Sequence, residues 1–141
     1  MKINTEEGGE GSLPRLYRLI DANLNRLREG IRVLEDIQRF IYDNGKLAGE
    51  LKTLRHQCRV EPYEHYLEAR DIVGDVLKET TDSEAARSDL HAVQRSNIKR
   101  AQESARVLEE GFKLIDSATA EKFKQIRYRL YNIEKEISKR G

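Results

Sequence analysis

A single cysteine, Cys58, leaves no partner for an internal disulfide, so the fold must rest on its core. Long apolar runs are missing as well. No stretch approaches the roughly 18 consecutive apolar residues of a membrane-spanning helix. The opening MKINTEEGGEGS is acidic and glycine-rich, unlike a secretory leader, and with the lone cysteine this gives a cytoplasmic expectation and no membrane partner. GGEGS is not a phosphate loop, because it runs into Leu13 and Pro14 rather than through Gly-Lys-Ser or Gly-Lys-Thr into a helix. Net charge is almost absent: 26 Lys and Arg against 25 Asp and Glu leave +1. Basic and acidic residues interleave without a continuous basic stripe, which argues against a nucleic-acid partner and makes any anion site local. His56, His65 and His91 lack the spacing of a zinc site.

What is present is helical rhythm. The chain is 36% charged with only two prolines in 141 residues, and its apolar residues recur at three- and four-residue steps, as in salt-bridged helices around one core. Residues 1–11 read as a flexible tail and 12–141 as a single helical domain. Ser12 and Pro14 mark the start of a first long helix that runs to Ile41, with a stop at Asn44 and Gly45. A second covers KLAGELKTLRHQCRV up to Pro62. Residues 62–83 mix a helical turn with a loop, and two further helices are predicted over 88–116 and 119–138. No strand is expected. The fold class is all-α, a helical bundle with short connections.

Asn23, Arg26, Glu29, Arg32, Val33, Leu34 and Glu35 recur 74 residues later as Asn97, Arg100, Glu103, Arg106, Val107, Leu108 and Glu109. LKTLRHQ at 51–57 likewise echoes FKQIRYR at 123–129. This spacing predicts two pseudo-symmetric helix pairs from an internal duplication. On a helical wheel, Leu19, Leu27, Ile31, Val33, Leu34, Ile37 and Ile41 form an arc centred near Asn23. Asn23 and Arg26 then point inward with Gly30, Glu29 lies at the border, and Arg32 and Glu35 face solvent as surface ion pairs. The second copy repeats this, with Asn97, Arg100 and Ser104 inward, Glu103 at the border, and Arg106 and Glu109 outward. An inward Asn and Arg need partners. Either they form a core network that pins helix register, or they line a cavity between the duplicated helices that holds a polar ligand. In the linker, Glu68, Arg70, Asp71 and Asp75 surround Gly74, a composition that suits magnesium and phosphate and is also ordinary in loops. Cys58 reads as a partly buried small residue.

The segments DANLNRLREGIRVLEDI, LRH, ARDIVGDV, NIKRAQESARVLEEGFKL and RYRLYNIEK, in this order over roughly residues 13–138, resemble the all-helical, alternative hydroxymethylpyrimidine-phosphate kinases of thiamine biosynthesis. That family also occurs fused before the barrel of some bacterial thiamine-phosphate synthases. The resemblance implies transfer of the ATP γ-phosphoryl group to 4-amino-5-hydroxymethyl-2-methylpyrimidine phosphate, with ATP and Mg²⁺ as cofactors. The matched positions are Asn23, Arg26, Glu29, Arg55, His56, Arg70, Asp71, Asp75, Asn97, Arg100, Glu103 and Arg127. Among them, Arg26, Arg70, Arg100 and Arg127 are expected to hold phosphates, and Asp71 and Asp75 to hold Mg²⁺. Asn23 or Asn97 is expected to read the aminopyrimidine edge, with Glu29, Glu103, Arg55 and His56 completing the substrate site. Candidate partners are a thiamine-phosphate synthase and a second copy of the chain. The alternative is a non-catalytic helical module that docks on such a synthase or dimerises.

Overall fold

The computed structural model describes residues 12–79 and 89–139. The expected tail at 1–11 and the start of the third helix at Ser88 lie outside the described residues. Among the described residues five α-helices follow one another: α1 (Ser12–Asp36), α2 (Gly45–Gln57), the short α3 (Tyr63–Glu68), α4 (Leu90–Phe112) and α5 (Ser117–Ser138). No strand occurs among the described residues, so the all-α class holds. No helix among them is long and apolar enough to cross a membrane.

Short polar side chains set most of the boundaries. Asn44 Oδ1 accepts from the Leu47 amide (3.2 Å), Asp89 Oδ1 from Ala92 (2.7 Å) and Asp116 Oδ1 from Ala118 (3.1 Å), capping α2, α4 and α5. α5 therefore starts at Ser117, two residues before the expected point. Ser12 is already helical instead of preceding the helix as a cap. The helix expected to reach Ile41 changes character after Asp36, where Ile37–Ile41 form a π-helical turn. The break comes at Asp43, whose φ of 50° is left-handed, a conformation that aspartate tolerates better than most residues. Gly45 is the first residue of α2 and not a stop.

α1 and α4 pack along each other at the centre, α2 and α3 lie on α1, and α5 lies on α4. Ile20, Leu27, Ile31, Leu34, Leu51, Ala101, Ala105, Leu108, Phe123 and Leu130 are wholly sealed in the resulting core. Phe112 and Phe123 stack at 5.5 Å between ring centroids, and Tyr66 of α3 meets Phe112 edge-on. Gly30 sits in the contact between α1 and α4: a Cβ there would lie 3.2 Å from the Asn97 carbonyl oxygen and 3.6 Å from the Ala101 Cβ. Gly30 is buried as expected, and glycine at this position lets two backbones meet instead of leaving open space beside them.

The inward placement of Arg26 and Arg100 is also corrected, since both are exposed. The buried stripe of α1 is Ile20, Leu24, Leu27, Ile31 and Leu34, centred about 60° around the helix from Asn23 at 100° per residue. Leu19, Val33 and Ile41 pulled the predicted arc away from it, and all three are exposed. Glu35 and Glu109, expected in solvent, are buried. Arg55 Nε donates to Glu35 Oε1 at 2.7 Å, and Arg127 Nη2 and Nε donate to Glu109 Oε1 at 2.8 and 3.2 Å. Arg32 and Arg106 do form surface pairs, but with Asp36 and Glu110.

Candidate functional site

The face of α1 turned away from the core carries Arg15, Arg18, Ala22, Arg26 and Glu29 at steps of three and four, so these side chains rise from one side of the helix. The chain after α3 returns across this face. Arg70 fixes its position, donating from Nε to Asp21 Oδ2 (2.8 Å) and from Nη2 to Asp21 Oδ1 (2.9 Å). Asp21 is buried, so the fork holds the loop to the helix as a geometrically fixed unit. Hydrogen bonds to Asp21 first and Tyr63 second hold the Arg70 guanidinium above its ordinary range. Arg18 Nη2 adds a bond to the Asp71 carbonyl at 2.9 Å.

Between α1 and this loop lies a cleft of about 970 Å³. Arg15, Arg18, Asp21, Asn23, Asn25, Arg26, Glu29, Arg70, Asp71 and Asp75 supply its polar lining. The arginines and carboxylates balance, four of each, so a bare anion gains little net attraction while phosphates carried with a cation match both signs. Arg70 and Asp21 neutralise one another. Arg15 and Arg26 have no carboxylate within ion-pair distance among the described residues. The Asp71 and Asp75 carboxylates brace the loop through the Gly74 and Leu77 amides, at 2.8 and 2.9 Å, and remain exposed or half-exposed. Asn23 is buried, with Nδ2 donating to the Leu19 carbonyl at 2.9 Å.

The sequence pattern of the ThiD2 family matches residues 18–136. The chain belongs to the ThiD2 family. It is 42% identical over 120 residues to a thiamine-phosphate synthase of Nostoc sp., covering 84% of this chain and 34% of that protein. It is 41% identical over 126 residues to one of Synechocystis sp., covering 89% and 37%. With one of Thermosynechococcus vestitus the identity is 38% over 136 residues, covering 96% and 38%. The ThiD2 chain thus spans about a third of the length of these relatives. No solved structure matches it significantly.

Half of the residues singled out in the sequence meet in the cleft: Asn23, Arg26, Glu29, Arg70, Asp71 and Asp75. The other half do not. Asn97 is buried on α4 with Nδ2 donating to the Val93 carbonyl at 2.8 Å, the same bond that Asn23 makes on α1. Arg100, Glu103 and His56 are exposed and outside the cleft. Arg55 and Arg127 are tied to buried glutamates, and Tyr131 accepts a further bond from Arg127 Nη1 at 3.0 Å. That bond, then the one to Glu109, raises the Arg127 guanidinium further. Arg15, Arg18, Asp21 and Asn25 went unnoticed in the sequence. Their spacing with Arg26 and Glu29 on one helical face was the available signal. Among the described residues no group of three or more His, Cys, Asp or Glu is placed to hold a metal ion.

Proposed function

We propose that this ThiD2 chain phosphorylates 4-amino-5-hydroxymethyl-2-methylpyrimidine phosphate at the expense of ATP. The observation that carries the reading is the cleft between α1 and the loop, which gathers Asn23, Arg26, Glu29, Arg70, Asp71 and Asp75 from separate motifs. Phosphoryl transfer asks for positioning and charge neutralisation more than covalent chemistry. A phosphate oxygen of the pyrimidine ester attacks the γ-phosphorus, the bond from that phosphorus to the β,γ-bridging oxygen breaks, and ADP leaves. The nucleophile is already an anion, so no general base is needed.

Arg15 and Arg26, with Arg18 beside them, offer guanidinium groups to the phosphates. Arg70 holds the loop in place. Mg²⁺ keeps several waters and accepts one or two protein carboxylates together with phosphate oxygens, and Asp71 and Asp75 fit that modest demand. When bound, Mg²⁺ would neutralise charge on the nucleotide phosphates. Asn25, facing the same cleft, and the Asn23 carbonyl oxygen offer amide groups to an aminopyrimidine edge. Incubation with ATP, Mg²⁺ and the pyrimidine monophosphate should give ADP and the diphosphate in equal amounts, and no product at high protein concentration would sink the reading.

One observation favours a second reading. Ile72, Val73, Val76 and Leu77 are 71–93% exposed along one loop, an apolar stretch suited to docking against another protein. As a non-catalytic module, the chain would bind a thiamine-phosphate synthase through this loop and leave the pyrimidine phosphate unbound.

A further inference from the structure

The loop that walls the cleft is fastened to α1 by polar contacts. Its large apolar side chains, Ile72, Val73, Val76 and Leu77, are exposed, so their burial does not hold it down. The bonds from Gly74 to Asp71, Leu77 to Asp75 and Lys78 to Val73 stay within the loop. Among the described residues, the side-chain bonds that join it to α1 are the Arg70 fork on Asp21 and the one from Arg18 to the Asp71 carbonyl. Of these the fork is the firmer. Asp21 retains 4% of its side-chain surface against 35% for Arg70. A carboxylate so deep cannot turn to water when its partner leaves, so it keeps Arg70 in one place.

The other half of the chain shows what this tie decides. Asn97 repeats on α4 the bond that Asn23 makes on α1, and Ser96, Arg100 and Glu103 stand 74 residues beyond Ala22, Arg26 and Glu29. The position of Asp21, however, is taken by Arg95, which is exposed. A guanidinium there has no acceptor to offer an arginine fork. We propose that Asp21 is the positioning residue that makes one copy of the repeated motif a site: through Arg70 it sets Asp71 and Asp75 across the cleft from Arg15 and Arg26. The α4 copy, without such a tie, binds nothing of its own. This role rests on the reading of the cleft as a place for phosphates carried with a cation, and it needs no phosphoryl transfer.

The probe is inorganic tripolyphosphate with Mg²⁺, titrated into the full chain and followed by NMR at the Gly74 and Leu77 amides, which every variant keeps. The parent chain should show one saturable set of shifts; no shift, or a second set at Arg100 and Glu103 that saturates separately, overturns the assignment. Asp21→Asn removes a negative charge and frees a guanidinium, so charge alone would tighten the binding of this anion. Lost positioning should instead weaken it roughly tenfold or more, and unchanged or tighter binding overturns the role. Arg70→Gln, at the more exposed end of the pair, should show the same loss even where Asp21→Asn folds poorly. The double variant has the parent's net charge and should bind no more weakly than the weaker single variant, because the two residues act as one unit. Losses that multiply would show that they act apart and would also overturn the role. A parent chain that binds the probe through Asp21 and makes no diphosphate sinks only the kinase reading.

Discussion

Glu109 and Arg127 retain only 7% and 10% of their side-chain surface, and charges so placed hold each other in position. Removing one leaves the other buried and uncompensated, which typically costs about 3–5 kcal/mol. Arg127→Met should therefore lower the urea midpoint strongly, and Arg127→Met with Glu109→Leu should recover much of the loss. A single variant that melted normally but lost activity would return Arg127 to the substrate site. Arg26 is the contrasting case. It is exposed and makes no bond to a described residue, so Arg26→Ala should leave stability unchanged. Loss of a charge-assisted phosphate contact, worth about 1.5–3 kcal/mol, should lower kcat/KM roughly 10- to 100-fold. Cys58 gives a pH signature. Folding raises its thiol to about 12, above the roughly 8.5 of an unfolded chain, so the unfolded state loses its proton first as pH rises. The contribution to stability is complete below about 8.5 and is lost progressively up to about 12. Stability curves across that window should fall more steeply for the parent chain than for Cys58→Ala.

At the scale of helices, two glycines separate packing from propensity. Gly30 faces the Asn97 carbonyl across the α1 and α4 contact, while nothing lies within 4 Å of a Cβ at Gly49 in α2. Gly49→Ala should stabilise the chain by about 0.8–1 kcal/mol through helix propensity, and Gly30→Leu should destabilise it by about 1–3 kcal/mol or more by forcing two backbones apart. Chemical denaturation of both variants checks the pair. The helices themselves were legible, because three- and four-residue apolar steps are local signals, although Asp116, which caps α5, was placed inside the preceding helix. Which face turned inward was only partly legible. Leu19 and Val33 are apolar yet exposed, and a wheel that weighs them equally with Leu27 rotates Arg26 into the core. The Glu35 to Arg55 and Asp21 to Arg70 pairs join residues 20 and 49 positions apart, and no periodicity within one helix can indicate such a partner. For the same reason half of the cleft was found through the loop motif and α1, while Arg15 and Arg18, which stand on that face without a motif, were passed over.

For the whole molecule, the relation between the cleft and the apolar loop decides between the two functional readings. The loop that contributes Asp71 and Asp75 to the cleft also exposes Val76 at 93% and Leu77 at 86%. Side chains already in water contribute little to folding, so Val76→Ser with Leu77→Ser should change the stability of the free chain by no more than about 0.5 kcal/mol. The parent chain should be stabilised by nucleotide with Mg²⁺ and by the pyrimidine monophosphate, by about 2.7 kcal/mol at a hundredfold excess over Kd, which a thermal-shift titration reads as a rise of several degrees. If the loop instead serves as a docking surface for a thiamine-phosphate synthase, neither small molecule raises the midpoint. Binding of the parent chain to the isolated synthase barrel, measured by calorimetry, is then abolished in the double-serine variant. Because the serine substitutions leave folding untouched, a lost ligand shift and a lost barrel interaction report on different faces of the same loop.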